Sequence, residues 1–431
     1  MFRYQLKQNP IQETTDSFME DYLRRLGIQK ISSFLEEPKS EDELNPFLLN
    51  RMEEGITMLY NHLTRGSNLY LVVDSDVDGY SSAAIMYNFI KELRPDIHIE
   101  YYIHPEKEHG VVPSTVPFGT GLVIIPDAGS NQYEELQQLQ ERNVDVLVLD
   151  HHLVEDHQLF IHPSVVIINN QISPRFPNKS LSGAGVVYKF VQAYLKTHPA
   201  HFTYEKYSDL AAFGILSDMM LITELDNNYI IRKGLSNIKN KMILALLKKQ
   251  SYSVTSITNP NIIDIVFYVT PVVNGTIRMG SLQEKMNLFE AFVDQENNEI
   301  FSREWRGETI NENLYDRIAR ESYNIKEKQN RITLKTMERI CEAIEKDKLY
   351  ENQVIVYKTS KSDINDVPKA LTGLVAMKIL QKYNRPTLIL RPTNNDGKWI
   401  YRGSGRGKKA DGFLSFKDFL SGSGLVEYAQ G

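Results

Sequence analysis

From about Asn68 onward the chain alternates short apolar runs with amphipathic stretches. The runs LYLVV (69–73), GLVIIP (121–126), DVLVLD (145–150) and SVVIIN (164–169) are rich in β-branched residues and bounded by polar or turn residues. That pattern predicts buried strands. Between them, SSAAIMYNFIKEL (81–93) and NQYEELQQLQERN (131–143) keep helical spacing. Strands alternating with helices predict an α/β domain with a parallel sheet covered on both faces. In such sheets functional groups gather at the carboxyl ends of the strands. Residues 1–65 read as a mostly helical, charged segment. Residues 306–347 are polar, free of proline and helical in spacing, which predicts a long connecting helix; a solvated coiled segment is the alternative. A second, smaller α/β unit follows in NQVIVY (352–357), ALTGLVAMKILQKY (370–383), PTLIL (386–390) and KWIYR (398–402). The expected organisation is an N-terminal segment (1–65), a parallel-sheet domain (66–305), a connecting helix (306–347) and a C-terminal α/β domain (348–431).

Composition changes this picture little. A chain of 431 residues is too long for one core, and 42% hydrophobic with 24% charged residues is ordinary for a globular protein. No stretch approaches the roughly 20 apolar residues of a membrane helix. The opening MFRYQLKQNPIQE lacks the apolar run of a signal peptide. A single cysteine, Cys341, excludes an internal disulfide and suits a reducing cytoplasm, where it reads as a small apolar helix residue. The net charge of −6 counts against a nucleic-acid binder, unless part of the acidic excess holds metal ions.

Candidate chemistry begins at DSDVDG, where Asp74, Asp76 and Asp78 alternate before Gly79. An EF-hand loop opens this way but needs a bidentate glutamate at its twelfth position. That position is Ile85, and a strand precedes the loop where a helix should. Three further runs end in the same chemistry: VIIP leads into Asp127, VLVLD delivers Asp150-His151-His152, and the strand-like AAFGILSD delivers Asp218. Singly, each aspartate has the ordinary reading of a helix cap or turn residue, and a His-His pair that of a surface feature. Jointly, several carboxylates with one or two imidazoles suit a pair of divalent ions such as Mn²⁺ or Mg²⁺. Two such ions about 3.5–4 Å apart activate water and stabilise the leaving oxygen of a phosphoester.

The stretch GKWIYRGSGRGKK (397–409) is basic and glycine-rich without an acidic residue. Its Gly403-x-Gly405-x-Gly407 spacing fits neither GxGxxG nor a P-loop. A basic turn of this kind binds phosphate through backbone N–H groups and guanidinium forks; a solvated basic hairpin is the alternative. Trp399 and Tyr401 offer base stacking or core packing.

These motifs together resemble the DHH phosphoesterase superfamily: DSDVDG, DAGSN, Asp150-His151-His152 and GILSD stand in its four-motif order. LSGAGVVYKF (181–190), GILSDMMLITELDNNYIIRKGL (214–235), TPVVNGTIRMGS (270–281) and YRGSGRG (401–407) are similar to RecJ-type single-strand exonucleases. The resemblance covers about residues 66–431. It implies a two-domain DHH fold with a DHH-associated C-terminal domain. It also implies Asp74, Asp76, Asp78, Asp127, His151 and Asp218 as ligands of two divalent ions, with Mn²⁺ preferred over Mg²⁺ and Asp127 bridging. It implies His152 facing the scissile phosphate and Asp150 orienting His151. Arg278 and Asn274 would contact the nucleic-acid backbone, and Ser404 and Arg406, with Arg402, Gly403 and Gly405 around them, would hold a terminal phosphate.

Three departures from the family pattern stand out. Gly275-Thr276-Ile277 replaces the usual Ala-x-Gly. The stretch YYIHPEKEHGV (101–111) lacks the usual arginine, offering Lys107 and His109-Gly110 instead. The chain stops at Gly431, where the family's Gly-Gly-His element would place its histidine next, so residues beyond Gly431 are expected to complete the domain. The implied activity is metal-dependent 5′→3′ hydrolysis of single-stranded DNA to 5′-mononucleotides, in DNA repair or recombination, by a cytoplasmic monomer. RNA is the alternative strand, and a single-strand-binding protein or helicase the expected protein partner. The alternatives are a short-oligonucleotide or cyclic-dinucleotide phosphodiesterase and, in another class, an inactive replication scaffold.

Overall fold

The protein, a computed structural model, is described over residues 15–28, 31–36, 39–154, 159–360, 367–395, 398–408, 415–427 and 429. Its two units are Met1–Tyr323 and Asn324–Gly431. In the first, helices α1 (Thr15–Arg25), α2 (Ile31–Leu35) and α3 (Met52–Arg65) precede the sheet. The sheet then builds from β1 (Asn68–Val73), α4 (Val77–Leu93), β2 (Ile99–Ile103), β3 (Thr120–Pro126), α5 (Tyr133–Glu141), β4 (Asp145–Asp150) and β5 (Val165–Asn169). All five strands are parallel, in the order β2-β1-β3-β4-β5.

Alternation along the strands divides the core. Leu69, Leu71, Val73, Ile124, Leu147, Leu149 and Ile168 pack with α3, α4 and further helices on one face. Tyr70, Val72, Ile125, Val148 and Ile167 pack against Leu136 and Leu139 of α5 on the other. With both faces covered, every residue of β5 is buried. Helices α6 (Gly183–Thr197), α7 (Ser208–Ser217), α8 (Leu225–Leu235), α9 (Lys241–Lys249), α10 (Thr270–Met279) and α11 (Leu282–Val293) complete this layer.

Three elements differ from the sequence expectation. Residues 99–103 form strand β2 at the sheet edge, where half-exposed positions dilute the apolar signal. AAFGILS is helix α7, not a strand. Its run is apolar all round because it is enclosed, and a short apolar run does not by itself separate buried helix from strand. The start of the expected connecting helix is instead part of a hairpin, β6 (Ile300–Trp305) with β7 (Glu308–Asn313). Its two turn residues, Arg306 and Gly307, both have positive φ, the geometry that matches strand twist in tight hairpins. The long helix α12 runs Leu314–Lys346 and carries the buried Cys341.

In the second unit, β8 (Ile355–Lys358), α13 (Thr372–Tyr383), β9 (Thr387–Asn395) and β10 (Lys398–Arg406) form a three-stranded sheet in the order β10-β9-β8 with a helix on one face, followed by α14 (Phe416–Gly422). Among the described residues no helix is long and apolar enough to cross a membrane.

Candidate metal centre

The strand order itself creates the site. The chain leaves β1 for the edge strand β2, then returns to the other side of β1 as β3. The crevice of a parallel sheet opens at such a reversal, beyond the carboxyl ends of the strands. Asp74 follows β1 and Asp127 follows β3. Asp76 caps α4, its carboxylate accepting the Gly79 N–H at 3.0 Å, and this sets Asp78 in the first helical turn. Asp127 holds a left-handed backbone, φ 64°, with its N–H bonded to Leu149 O at 2.8 Å. Aspartate and asparagine tolerate that conformation better than most side chains. Asp150 ends β4 and presents His151 and His152. Asp218 arrives from the helical layer that also holds α4, as the C-cap of α7.

These residues meet in three overlapping groups: Asp74 with Asp76 and Asp127, Asp78 with His151 and Asp218, and Asp127 with His151 and His152. Within each group the potential ligand atoms lie within 4.8 Å of one another. His151 Nε2 is 3.2 Å from Asp127 Oδ1, 3.5 Å from Asp218 Oδ2 and 3.9 Å from Asp78 Oδ2. Its contact with Asp127 is not aligned as a hydrogen bond, and among the described residues Asp127 Oδ1 has no hydrogen-bond partner. A buried carboxylate oxygen so placed costs stability unless a cation meets it. The donor set of several carboxylates and one imidazole fits divalent ions that favour oxygen and accept nitrogen. All six residues expected as ligands are therefore brought together, with Asp127 common to two of the groups.

Glycines make this crowding possible. A Cβ on Gly79 would lie 2.6 Å from Asp74 Cβ, one on Gly183 2.3 Å from Asp127 Oδ1, and one on Gly214 2.3 Å from Asp78 Oδ1. Asp78 also sits on the N-terminus of α6, accepting from Gly183 N at 2.6 Å, Ala184 N at 3.1 Å and Ser182 Oγ at 2.9 Å. Asp74 accepts from Gly110 N at 2.9 Å and pairs with His109 Nδ1 at 2.6 Å. The loop bearing His109 is fixed by Lys285, whose buried ammonium donates to the carbonyls of His104 and Pro105. None of His109, Ser182, Gly183 or Lys285 was singled out from the sequence for these contacts. Each acts on an aspartate or loop far away in the chain, and only His109-Gly110, standing where an arginine was sought, hinted at it.

One expected pairing is corrected. Asp150 orients His152 rather than the ring of His151: its Oδ1 is 2.8 Å from His152 Nδ1, while His151 reaches it only through its backbone N–H at 2.7 Å. The His151 ring turns away into the carboxylates. The Ser130 N–H completes the Asp150 shell. Asn169 and Gln171 hold the backbone carbonyls of His152 and His151.

Electrostatics follow from this packing. Burial raises Asp78, Asp127 and Asp218 above the usual carboxylate range, Asp218 to about 7, and the neighbouring carboxylates add to the rise. Burial lowers His151, favouring the neutral imidazole that a metal ligand must be. The hydrogen bond to Asp150 raises His152 to about 9. For Asp150, burial pushes upward, but the His152 bond, both imidazoles and the Ser130 N–H outweigh it and hold the group below its ordinary value. The Asp74 hydrogen bond raises His109.

The remaining expected residues lie apart from this cluster in sequence. Asn274 and Arg278 stand four residues apart on α10, and so on one helix face. Gly275-Thr276-Ile277 continues that helix without a break. Among the described residues Asn274 Oδ1 is buried without a hydrogen-bond partner. In the second unit Ser404 Oγ is 2.8 Å from Thr372 Oγ1 at the start of α13, and the Arg406 guanidinium lies against Gly373. Gly403 and Gly405 serve close packing: a Cβ on Gly403 would fall 1.8 Å from Ile389 O, and one on Gly405 2.9 Å from Leu388 Cδ2. Arg402 is exposed. Lys409, the last cation of the basic stretch, and the end of the chain at Gly431 fall outside the described residues.

Residues 68–215 match the DHH family, N-terminal domain. YorK of the Bacillus subtilis SPbeta prophage, provisionally named a single-strand DNA-specific exonuclease, is 36% identical over 387 residues, covering 89% of this chain and 65% of YorK. The single-stranded-DNA-specific exonuclease RecJ of B. subtilis is 23% identical over 378 residues, covering 85% of this chain and 43% of RecJ. The chain thus spans less than two thirds of either relative. A crystal structure of exonuclease RecJ bound to manganese superposes with a TM-score of 0.64 at 20% identity, covering 83% of each chain, which establishes the shared fold. Residues 68–215 match the N-terminal domain of the DHH family, and the chain is similar over most of its length to YorK and RecJ.

Proposed function

We propose that the chain is a metal-dependent exonuclease that hydrolyses single-stranded DNA from its 5′ end and releases 5′-mononucleotides. The carrying observation is the unsatisfied, buried Asp127 Oδ1, on the residue shared by two of the three overlapping carboxylate and imidazole groups, a site whose repulsion two cations would relieve. Asp74, Asp76, Asp78, Asp127, His151 and Asp218 would hold two divalent ions, Mn²⁺ in preference to Mg²⁺. Such ions supply a nucleophile from water at neutral pH and neutralise charge on the leaving oxygen.

The protein's own groups do the rest. Ser182, Gly183 and Ala184 fix the Asp78 carboxylate by three hydrogen bonds, and His109 and Gly110 fix Asp74, so neither ligand reorganises on loading. Asp150 clamps one ring nitrogen of the half-exposed His152, leaving the other edge of the ring for a phosphate oxygen of the substrate. Arg278 and Asn274 would bind the backbone of the strand, and Ser404 and Arg406, backed by Thr372, its terminal phosphate. The names of YorK and RecJ support single-stranded DNA as substrate.

The test is a time course on 5′- and 3′-labelled DNA and RNA oligonucleotides with Mn²⁺ or Mg²⁺, with Asp127→Ala as control. Mononucleotides are expected first from the 5′ label of DNA, and none with Asp127→Ala. Equal, metal-independent turnover by both proteins would sink the reading. Faster cleavage of a dinucleotide than of the long strand would move the substrate to short oligonucleotides.

A further inference from the structure

We propose that the face of the C-terminal sheet bearing Trp399 and Tyr401 is a stacking platform for successive bases of single-stranded DNA. This rests on the substrate reading above, but not on the metal chemistry. Residues paired directly across a ladder share a face. The continuous β9–β10 register sets Trp399 opposite Asn394 and Tyr401 opposite Pro392. The β8–β9 register sets Val356 opposite Leu388 and Lys358 opposite Leu390. One face therefore carries Val356, Lys358, Trp399 and Tyr401. Ser404 and Arg406 point to the other face, against α13. The two faces thus offer different chemistry.

Phe416 of α14 covers one end of the aromatic face by packing on Gly405 and Gly407. At the other end Trp399 is 45% and Tyr401 50% exposed. Two residues along a strand place their rings roughly 7 Å apart, a separation that splayed, unpaired bases can match as they do on other nucleic-acid-binding sheets. The Lys358 ammonium lies 5.6 Å from the centre of the Tyr401 ring, where it can also meet a phosphate. Charge selects the occupant. Lys358 is the cation that these registers set on the platform face, and Arg391, Lys398, Arg402 and Arg406 stand on the opposite face. The three strands carry this cationic excess without an aspartate or glutamate, in a chain whose net charge is −6. An apolar protein partner would not need that excess, and a duplex would hide the base faces.

The chain has two tryptophans, Trp305 and Trp399, so Trp305→Phe leaves Trp399 as the sole reporter. The full chain carrying this change is titrated in EDTA with oligo(dT) and, separately, with inorganic polyphosphate. Saturable quenching of Trp399 by oligo(dT) and none by polyphosphate is expected. Tyr401→Ala should weaken oligo(dT) binding roughly tenfold. Equal quenching by polyphosphate, or no quenching while the same protein still degrades the strand in Mn²⁺, would overturn the platform and leave the nuclease reading intact. Quenching without any cleavage supports the platform and removes the nuclease reading.

Discussion

The two units handle negative charge in opposite ways. In Met1–Tyr323, carboxylates are driven below the surface and packed against glycines, their mutual repulsion held in place by backbone N–H groups. In Asn324–Gly431, cations stand on a small sheet that is largely open to solvent, with no acid among its strands. The first arrangement is costly unless cations meet the carboxylates, and a site proposed to act on a substrate permits no slack, since ligand geometry must be set in advance. The second costs little, because exposed guanidinium and ammonium groups remain hydrated until a phosphate replaces the water. The contrast predicts that changes in the first unit abolish turnover, whereas changes in the second tune affinity.

The largest break comes from Asp127→Asn. It keeps the shape and tolerates the left-handed backbone but removes a charge from the crowded centre. Cleavage should fall at least about a thousandfold, while the metal-free protein gains roughly 1 kcal/mol of stability, read as a higher Tm in EDTA. A fall in both would mean that the carboxylate crowding is not a strain. Next comes Gly183→Ala, whose methyl group collides with Asp127. A shift of about 1 Å should cost roughly a hundredfold in kcat with KM little changed, measured on a 5′-labelled strand. Unaltered kcat would show that the α6 terminus yields. The smallest effect belongs to Arg406→Ala, a lost charged hydrogen bond that should raise KM roughly tenfold and leave kcat alone. A fall in kcat instead would erase the division of labour.

Legibility in the sequence followed the range of the interactions. Asp74, Asp127 and Asp150-His151-His152 were readable because each follows an apolar β-branched run, and a parallel sheet gathers such ends by construction. Asp218 was readable as a motif but not as an element, since AAFGILS is apolar on every side in either helix or strand. Gly183 and Gly214 look like ordinary small residues; their function is the absence of a Cβ opposite Asp127 and Asp78, which no local pattern encodes. His109 gave little sign for the same reason, since its partner Asp74 lies 35 positions away. The Asp150 pairing was misassigned because adjacent histidines on a chain leaving a strand point in different directions, and the sequence does not say which turns inward.

The left-handed backbone at Asp127 has a consequence for how this site can drift over generations. Residues that accept φ near +60° readily are glycine, asparagine and aspartate, and of these aspartate alone carries a carboxylate. Glutamate, the usual neighbouring choice for a metal ligand, would meet both a disfavoured backbone and the missing space beside Gly183. A lineage can therefore leave this position in a single step, towards a silent protein, but has no intermediate of partial activity along which to wander. Position 127 should behave as an on-or-off character, which makes it a sharper marker of whether a relative is still an enzyme than the ligands around it.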